Sequence, residues 1–304
     1  MQKYYSNGKL LLTAEYVVLD GALSLAVPTK QGQSLTIESI DEPKIIWTSL
    51  DELGSTWFED TFLIEQITSG FSNPNNAISE RVIQILNAVK TLNPNFLNTN
   101  NGFKITTSLT FPKNWGLGTS STLINNVAQW ANVDAFELLK LTFGGSGYDI
   151  ACAQNNTPIT YQLQKENTVI NPVNFNPTFK EHLYFVYLNK KQNSRDGIAT
   201  YKANKSNLES VISEINDITT SMISCKTLDT FDALTKQHES LISKITKQDT
   251  VKDALFKDFN GSVKSLGAWG GDFVLVTAKE HPENYFKNKG FETIISYEDM
   301  VLKF

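Results

Sequence analysis

The chain has 304 residues, enough for one large or two medium domains with a real core, and its 40% apolar and 19% charged content describes a globular protein. A net charge of −5 with no basic run argues against nucleic acid as a partner, and it leaves any anionic substrate to be drawn by local groups. No apolar run approaches the roughly 20 residues that cross a bilayer, no leader pattern opens the chain, and Cys152 and Cys225 are too few for a disulfide framework and lack metal spacing. A cytoplasmic protein without membrane contact, monomeric or homodimeric, is therefore expected.

Residues 8–21 read as a strand pair or a bent strand closed by the Asp20-Gly21 turn, with Lys9 and Glu15 the charged residues in an apolar run. Strands follow at 23–27 and 34–40, then β-like and turn material over 41–70 with Trp47, Trp57 and Phe58 beneath it. After a polar loop at 72–76, Ile78, Val82, Ile85 and Val89 mark an amphipathic helix. Phe103, Ile105, Thr107 and Leu109 alternate with polar residues as a half-buried strand, and Leu123, Val127 and Trp130 mark a short helix.

Between that strand and that helix lies Gly116-Leu117-Gly118-Thr119-Ser120-Ser121. Its glycines permit positive φ and close approach to a ligand, its hydroxyls suit a helix cap, and the helix's first amides attract an anion. An ordinary capped helix after a glycine turn has the same local pattern. A P-loop is excluded because no Gly-Lys-Ser/Thr ending exists, and the dinucleotide fingerprint lacks its third glycine at Ser121.

A further glycine cluster, residues 144–149, fails as a hydrolase elbow because Tyr148 occupies the final glycine position, leaving Asp149 on a close-packing backbone. A strand at 159–162, a polar crossing through Pro177 and a buried strand at 182–188 come next. The loop 189–197 carries Lys190, Lys191 and Arg195, as a solvated loop does or as an anion-recognition loop does. Helices dominate 206–265, with Leu228, Phe231, Leu234, His238, Leu241 and Ile245 on one face and His238 read as a core or rim residue. Residues 267–272 then lead into a strand at 273–277.

Three stretches together resemble the GHMP small-molecule kinases: residues 8–21, residues 112–121, and Gly267-Ala268-Trp269-Gly270-Gly271-Asp272. Gly145-Ser146-Gly147-Tyr148-Asp149 is similar to the corresponding stretch of phosphomevalonate kinases, and Tyr16 stands where mevalonate kinases carry histidine. The resemblance implies an α+β, two-lobed fold: a ribosomal protein S5 domain 2-like N-terminal lobe over 1–165 and a ferredoxin-like C-terminal lobe over 166–304. It also implies ATP and Mg²⁺ as cofactors and a small anionic acceptor, such as mevalonate or phosphomevalonate, phosphorylated on a hydroxyl or phosphate.

Carried over residue by residue, the resemblance implies that Gly116, Leu117, Gly118, Thr119, Ser120 and Ser121 cradle the triphosphate, with the Ser120 hydroxyl on Mg²⁺. Asp149 accepts or orients the acceptor's proton, while Lys9 holds it ionised and offsets phosphoryl charge. Glu15, Ser146, Gly147, Tyr148, Ser194, Arg195, Gly270, Gly271 and Asp272 border the acceptor, and residues 72–76 are the expected adenine contacts from their position before a helix.

The sequence also departs from the family. The second metal-binding glutamate falls by count on Leu138, and Glu137 stands one position away, which on a helix turns the side chain by about 100°. The segment before Asp149 is short, and Trp269 interrupts a normally all-small motif. The displaced glutamate and the short segment before Asp149 motivate the alternative of a catalytically inactive nucleotide-binding sensor or scaffold of the same fold.

Overall fold

The first part of the chain forms β1 (Gln2–Leu11), β2 (Ser24–Ile40), β3 (Lys44–Leu50) and β4 (Thr56–Leu63), with buried and less buried side chains alternating most regularly along β3. Helices α1 (Ile64–Ser69) and α2 (Ala77–Leu92) follow, then β5 (Gly102–Leu109), α3 (Thr119–Ala131), α4 (Ala135–Thr142) and α5 (Tyr148–Gln154). The computed structural model describes residues 1–69, 76–164, 167–191 and 194–303. The chain groups into one unit of Met1–Gly8, Gln31–Lys113 and Leu117–Gln154, and another of Lys9–Lys30, Asn114–Gly116 and Asn155–Phe304.

In the first unit, β4, β3, β5 and the later part of β2 lie side by side, antiparallel except for the parallel pair β3 and β5. Trp47, Leu35, Ile37 and Ile105 of this sheet pack with Leu86 and Val89 of α2 and Ile124 and Val127 of α3. Asn76 caps α2 by accepting from the Ile78 and Ser79 amides, and Asp134 caps α4 in the same way. Val82, Ile85 and Val89 are buried as the periodicity predicts, whereas Ile78, in the first turn, is 41% exposed.

Helix α3 begins four residues earlier than the periodicity predicts and buries a different face: Ile124, Val127, Ala128 and Ala131, with Leu123 and Trp130 only partly buried. Thr122, Asn125 and Asn126 share that buried face, so it looks polar in the sequence. Their side chains form a seam. Ser6 Oγ donates to Asn126 Oδ1 at 2.7 Å, Asn125 Nδ2 to Ser6 Oγ at 2.8 Å, Asn126 Nδ2 to the Gln33 carbonyl at 2.9 Å and Thr122 Oγ1 to Gln33 Oε1 at 2.7 Å. Buried amides satisfied in this way fix the rotation of the helix, because turning it would strand several polar groups.

In the second unit, residues 24–26 of β2 pair with β6 (Ile159–Leu163), which pairs with β7 (Thr168–Pro172). The rest comprises β8 (Leu183–Tyr187), α6 (Ser194–Asn204), α7 (Glu209–Ser224), α8 (Leu228–Thr246), α9 (Val251–Leu255), β9 (Val263–Ser265), β10 (Phe273–Thr277), α10 (Glu283–Asn288), β11 (Ile294–Ser296) and α11 (Tyr297–Met300). Strands β8 to β11 form an antiparallel sheet in the order β11-β8-β10-β9. With helices between first and second and between third and fourth strands, this is the ferredoxin-like order.

Several sequence expectations are corrected. Residues 23–40 hold one strand of 17 residues rather than two strands. The polar crossing contains β7, hairpinned onto β6. Helix α6 starts at Ser194, inside the expected loop, and residues 263–265 are strand rather than the end of a helix. The buried face of α8 is Phe231, Thr235, His238, Glu239, Ile242 and Thr246, because a buried ionic cluster, and not only apolar area, turns this helix inward.

The strand pair or bent strand expected over residues 8–21 is strand only as far as Leu11, where β1 ends, and the chain turns at 14–16 into a short 3₁₀ helix over Val17–Asp20. Ala14 has φ 68° and Tyr16 φ 64°, ψ −49°, and the Val17 amide donates to the Glu15 carbonyl at 2.8 Å. Tyr16 thus centres the rare, strained form of γ-turn, a conformation that costs a bulky residue on the order of 1–3 kcal/mol.

Buried charges hold that turn. Glu15 and Lys264 are both fully buried, and Lys264 Nζ donates to Glu15 Oε1 at 2.6 Å and to the Ser265 carbonyl at 3.0 Å. The Ala14 amide donates to His238 Nε2 at 2.9 Å, which requires an unprotonated nitrogen there. The imidazole is therefore neutral despite Glu15 Oε2 at 3.2 Å, in keeping with a pKa pushed down to about 3 by burial and by the Lys264 charge. Glu239 accepts the Ser265 amide at 3.0 Å, and burial raises its pKa.

Two predictions follow from these networks. Asn126→Ala should lower stability by about 1–3 kcal/mol, read as a drop in urea midpoint at unchanged slope, because Ser6 and the Gln33 carbonyl lose their buried partner. The second concerns pH. Below the unfolded His238 pKa of 6.5 the unfolded chain takes up a proton that the folded chain does not, so this group weakens folding on acidification, by up to about 1.4 kcal/mol per pH unit. Glu239 acts oppositely: its folded pKa lies above the ordinary 4.5, so its contribution is lost as pH rises through that raised value. His238→Gln should flatten the fall in urea midpoint between pH 7 and 5, and Glu239→Gln, which keeps an acceptor for Ser265, should steepen the fall on the acid side of the raised Glu239 pKa. Equal slopes in all three proteins would mean that His238 is not held neutral.

Candidate functional site: the glycine loop before α3

Strand β5 ends at Leu109 and the chain reaches α3 through residues 110–118. Gly116 has φ 70° and Gly118 φ 96°, left-handed values that L side chains rarely adopt. At Gly116 there is a second reason for glycine: a Cβ would lie 2.4 Å from Asp272 Cγ and Oδ2. The Asp272 carboxyl therefore packs directly on the loop backbone, and Lys9 Nζ donates to the Gly116 carbonyl at 3.3 Å.

Aromatic packing fixes the loop's first residues. Trp115 meets Phe273 edge-on at 5.3 Å, and Tyr187 Oη donates to the Asn114 carbonyl at 3.1 Å. Asp272 itself, at φ 53°, is pinned between β8 and the loop after it: its amide donates to the Lys190 carbonyl and its carbonyl accepts from the Leu188 amide, both at 2.8 Å.

The start of α3 differs from the expected hydroxyl cap. Its N-cap is Gly118, with no side-chain cap, and the Ser121 hydroxyl donates back to the Gly118 carbonyl at 2.9 Å. The first intrahelical bond runs from the Thr122 amide to Gly118, so the amides of Thr119, Ser120 and Ser121 precede it. This helix of 13 residues begins on a glycine with no capping side chain, a geometry whose leading N–H groups and positive dipole end suit an anion. Ser120 is exposed on this turn.

Asp149 is half-buried in the first turn of α5, after Ser146, buried Gly147 at φ 90° and buried Tyr148. Lys9, Gly116 and Asp272 come together in the second unit; Asp149 belongs to the first. Gly270 has φ 80° with open space where a side chain would be, and Gly271 is buried. Ser194 and Arg195 open α6, and only their backbone is among the described atoms. Residues 72–75 of the expected adenine stretch lie outside the described residues, as do Gln192 and Asn193 of the cationic loop; Asn76 caps α2.

Two expectations meet other partners. Glu15, expected against the acceptor, is 0% exposed and engaged by Lys264. Glu137, expected on the metal, is 54% exposed and pairs with Lys140 at 3.7 Å along α4. Among the described residues no group of three or more His, Cys, Asp or Glu is arranged to hold a metal ion, and no helix is long and apolar enough to cross a membrane. The sequence reading missed Lys264, which stands three residues before the third glycine motif, and Glu239, and it read His238 as a core or rim residue.

No family model matches the chain, and no curated sequence matches it. Solved structures do. A mevalonate kinase from Methanococcus jannaschii is 18% identical with a TM-score of 0.73, covering 100% of this chain and 98% of that one. A Streptococcus pneumoniae phosphomevalonate kinase in complex with phosphomevalonate and AMPPNP is 15% identical with a TM-score of 0.71, over 97% and 100% of the two chains. A Lactococcus lactis galactokinase complexed with galactose is 12% identical with a TM-score of 0.70, over 99% and 93%. Over essentially its whole length, the chain has the α+β fold of the GHMP kinases.

Proposed function

We propose that the protein is an ATP-dependent small-molecule kinase that transfers the γ-phosphoryl group to a hydroxyl or phosphate of a small anionic metabolite resembling mevalonate or phosphomevalonate. The observation that carries this reading is the left-handed glycine loop that delivers the uncapped N-terminus of α3, in a chain with the fold of kinases. The amides of residues 119–121 would hold phosphate oxygens, and Lys9, fixed on the Gly116 carbonyl, would bring positive charge to the loop.

The donor chemistry suits a magnesium nucleotide. Mg²⁺ draws most of its ligands from phosphate and water, so a single exposed hydroxyl on the first turn, Ser120, is a fitting protein ligand, whereas Glu137 faces solvent on α4 beside Lys140. When bound, the ion neutralises charge on the β- and γ-phosphates. Asp149 would take or orient the acceptor's proton, and Ser146, Gly147, Tyr148, Gly270, Gly271 and the start of α6 with Ser194 and Arg195 would border the acceptor. Asp272, pressed on Gly116, would hold the loop and exclude any residue but glycine there.

ADP release should appear with at least one of mevalonate, phosphomevalonate, homoserine or a sugar, and Asp149→Asn should lower kcat by about 10²–10⁴-fold with AMPPNP affinity nearly unchanged. Silence with every acceptor would remove the catalytic reading. The solvent-facing ion pair of Glu137 favours the second reading, a nucleotide-binding sensor without turnover. Under that reading AMPPNP binds tightly, no acceptor releases ADP, and Asp149→Asn changes nothing measurable.

A further inference from the structure

The strained turn at residues 14–16 does more than end β1. Tyr16 is 7% exposed, and its hydroxyl accepts the Trp269 backbone amide of the third glycine motif at 2.8 Å. Its ring stacks on Tyr201 of α6 at 5.7 Å with an interplanar angle of 19°. One turn into the same helix, Gly197 presses on it: a Cβ at 197 would lie 2.5 Å from the Tyr16 hydroxyl and 3.1–3.2 Å from ring carbons. Tyr201 is fully buried and donates to Asp20 Oδ2 at 2.6 Å, which ties α6 back to the 3₁₀ segment that follows the turn.

A γ-turn of this kind is held only when its surroundings over-determine it. Here the flanking residues are anchored independently, Ala14 by His238 and Glu15 by Lys264, so the backbone has no slack and the Tyr16 ring is aimed. The motif it grips ends at Asp272, which rests on Gly116. The helix it supports begins at Ser194 and Arg195.

We infer that Tyr16 is a positioning residue that sets the third glycine motif and the start of α6 together, so that loop and acceptor contacts are held in register by one phenol. The inference rests on the kinase reading for its consequence, though the mechanical coupling stands on hydrogen bonds and packing alone.

Tyr16→Phe removes the acceptor of the Trp269 amide while keeping the stack on Tyr201. Amide hydrogen exchange of the peptide covering residues 267–272 should rise about five- to tenfold with β8 and β10 unchanged, since a buried amide has lost its partner. With the acceptor found active above, kcat should fall about tenfold or more while KM for ATP changes less than threefold. Asp272→Asn should lower kcat too, and the double variant should lose no more than the worse single one, because both act through the same loop.

Unchanged exchange in Tyr16→Phe overturns the inference whatever the activity. Faster exchange with unaltered kcat, or strictly additive losses in the double variant, overturns the link to catalysis. The unchanged exchange of β8 and β10 guards against a trivial folding defect, and Gly197→Ala, which keeps the Tyr16 hydroxyl but displaces the ring, should reproduce both the faster exchange at 267–272 and the kcat loss, with a urea midpoint lowered by the crowding. A wild type that neither binds AMPPNP nor releases ADP with any acceptor ends the kinase reading, whereas an active wild type with an indifferent Tyr16→Phe ends this inference alone.

Discussion

The ion pair between Glu15 and Lys264 is the constraint from which the second unit is arranged. Taking both charges out of water costs several kcal/mol per ion unless every donor and acceptor is met. Lys264 is met by the Glu15 carboxylate, the Ser265 carbonyl and, at 3.5 Å, Glu239, while Glu15 Oε2 has no hydrogen-bond donor among the described residues. A slip of one residue in β9, or a rotation of α8, would leave a charge unpaired in the interior, so the pair specifies register where apolar packing tolerates shifts. The unfavourable backbone at Ala14 and Tyr16 persists because the alternative is to break this cluster.

From that anchor the order passes to the loop by short steps. Lys264 lies on β9, and the chain leaves β9 through Gly267 into the segment that Tyr16 holds at Trp269 and that ends with Asp272 on Gly116. Trp269, where the family resemblance leads one to expect a small residue, is accommodated inside the unit, 3% exposed with its indole N–H donating to the Asp249 carbonyl at 2.8 Å. The bulk therefore packs within this unit rather than standing out into solvent.

The first unit solves a different problem. An anion site needs helix amides that nothing else satisfies, yet a helix with a bare N-terminus must be held by other means. α3 is held by the polar seam from Ser6 through Asn125 and Asn126 to Gln33, and its hydroxyls turn back on the Gly118 carbonyl instead of forward onto the leading amides. No side chain caps this end of the helix, and the stability is supplied along the flank.

The sequence alone determined much of this protein. The alternation from Phe103 to Leu109, the glycine loop, the buried positions of α2 and the strand after Asp272 are each written in local patterns, because side-chain period and glycine's freedom at positive φ act within a few residues. Three spaced motifs were enough to indicate the fold. What only the tertiary structure decided were the features whose cause lies far along the chain: the turn at 14–16, set by His238 and Lys264 more than 200 residues away; the true inner face of α3, hidden because its buried residues are asparagine and threonine; and the interior role of Glu15. Buried polar groups follow their partners rather than any period, and partners brought together by folding leave no spacing in the sequence to read.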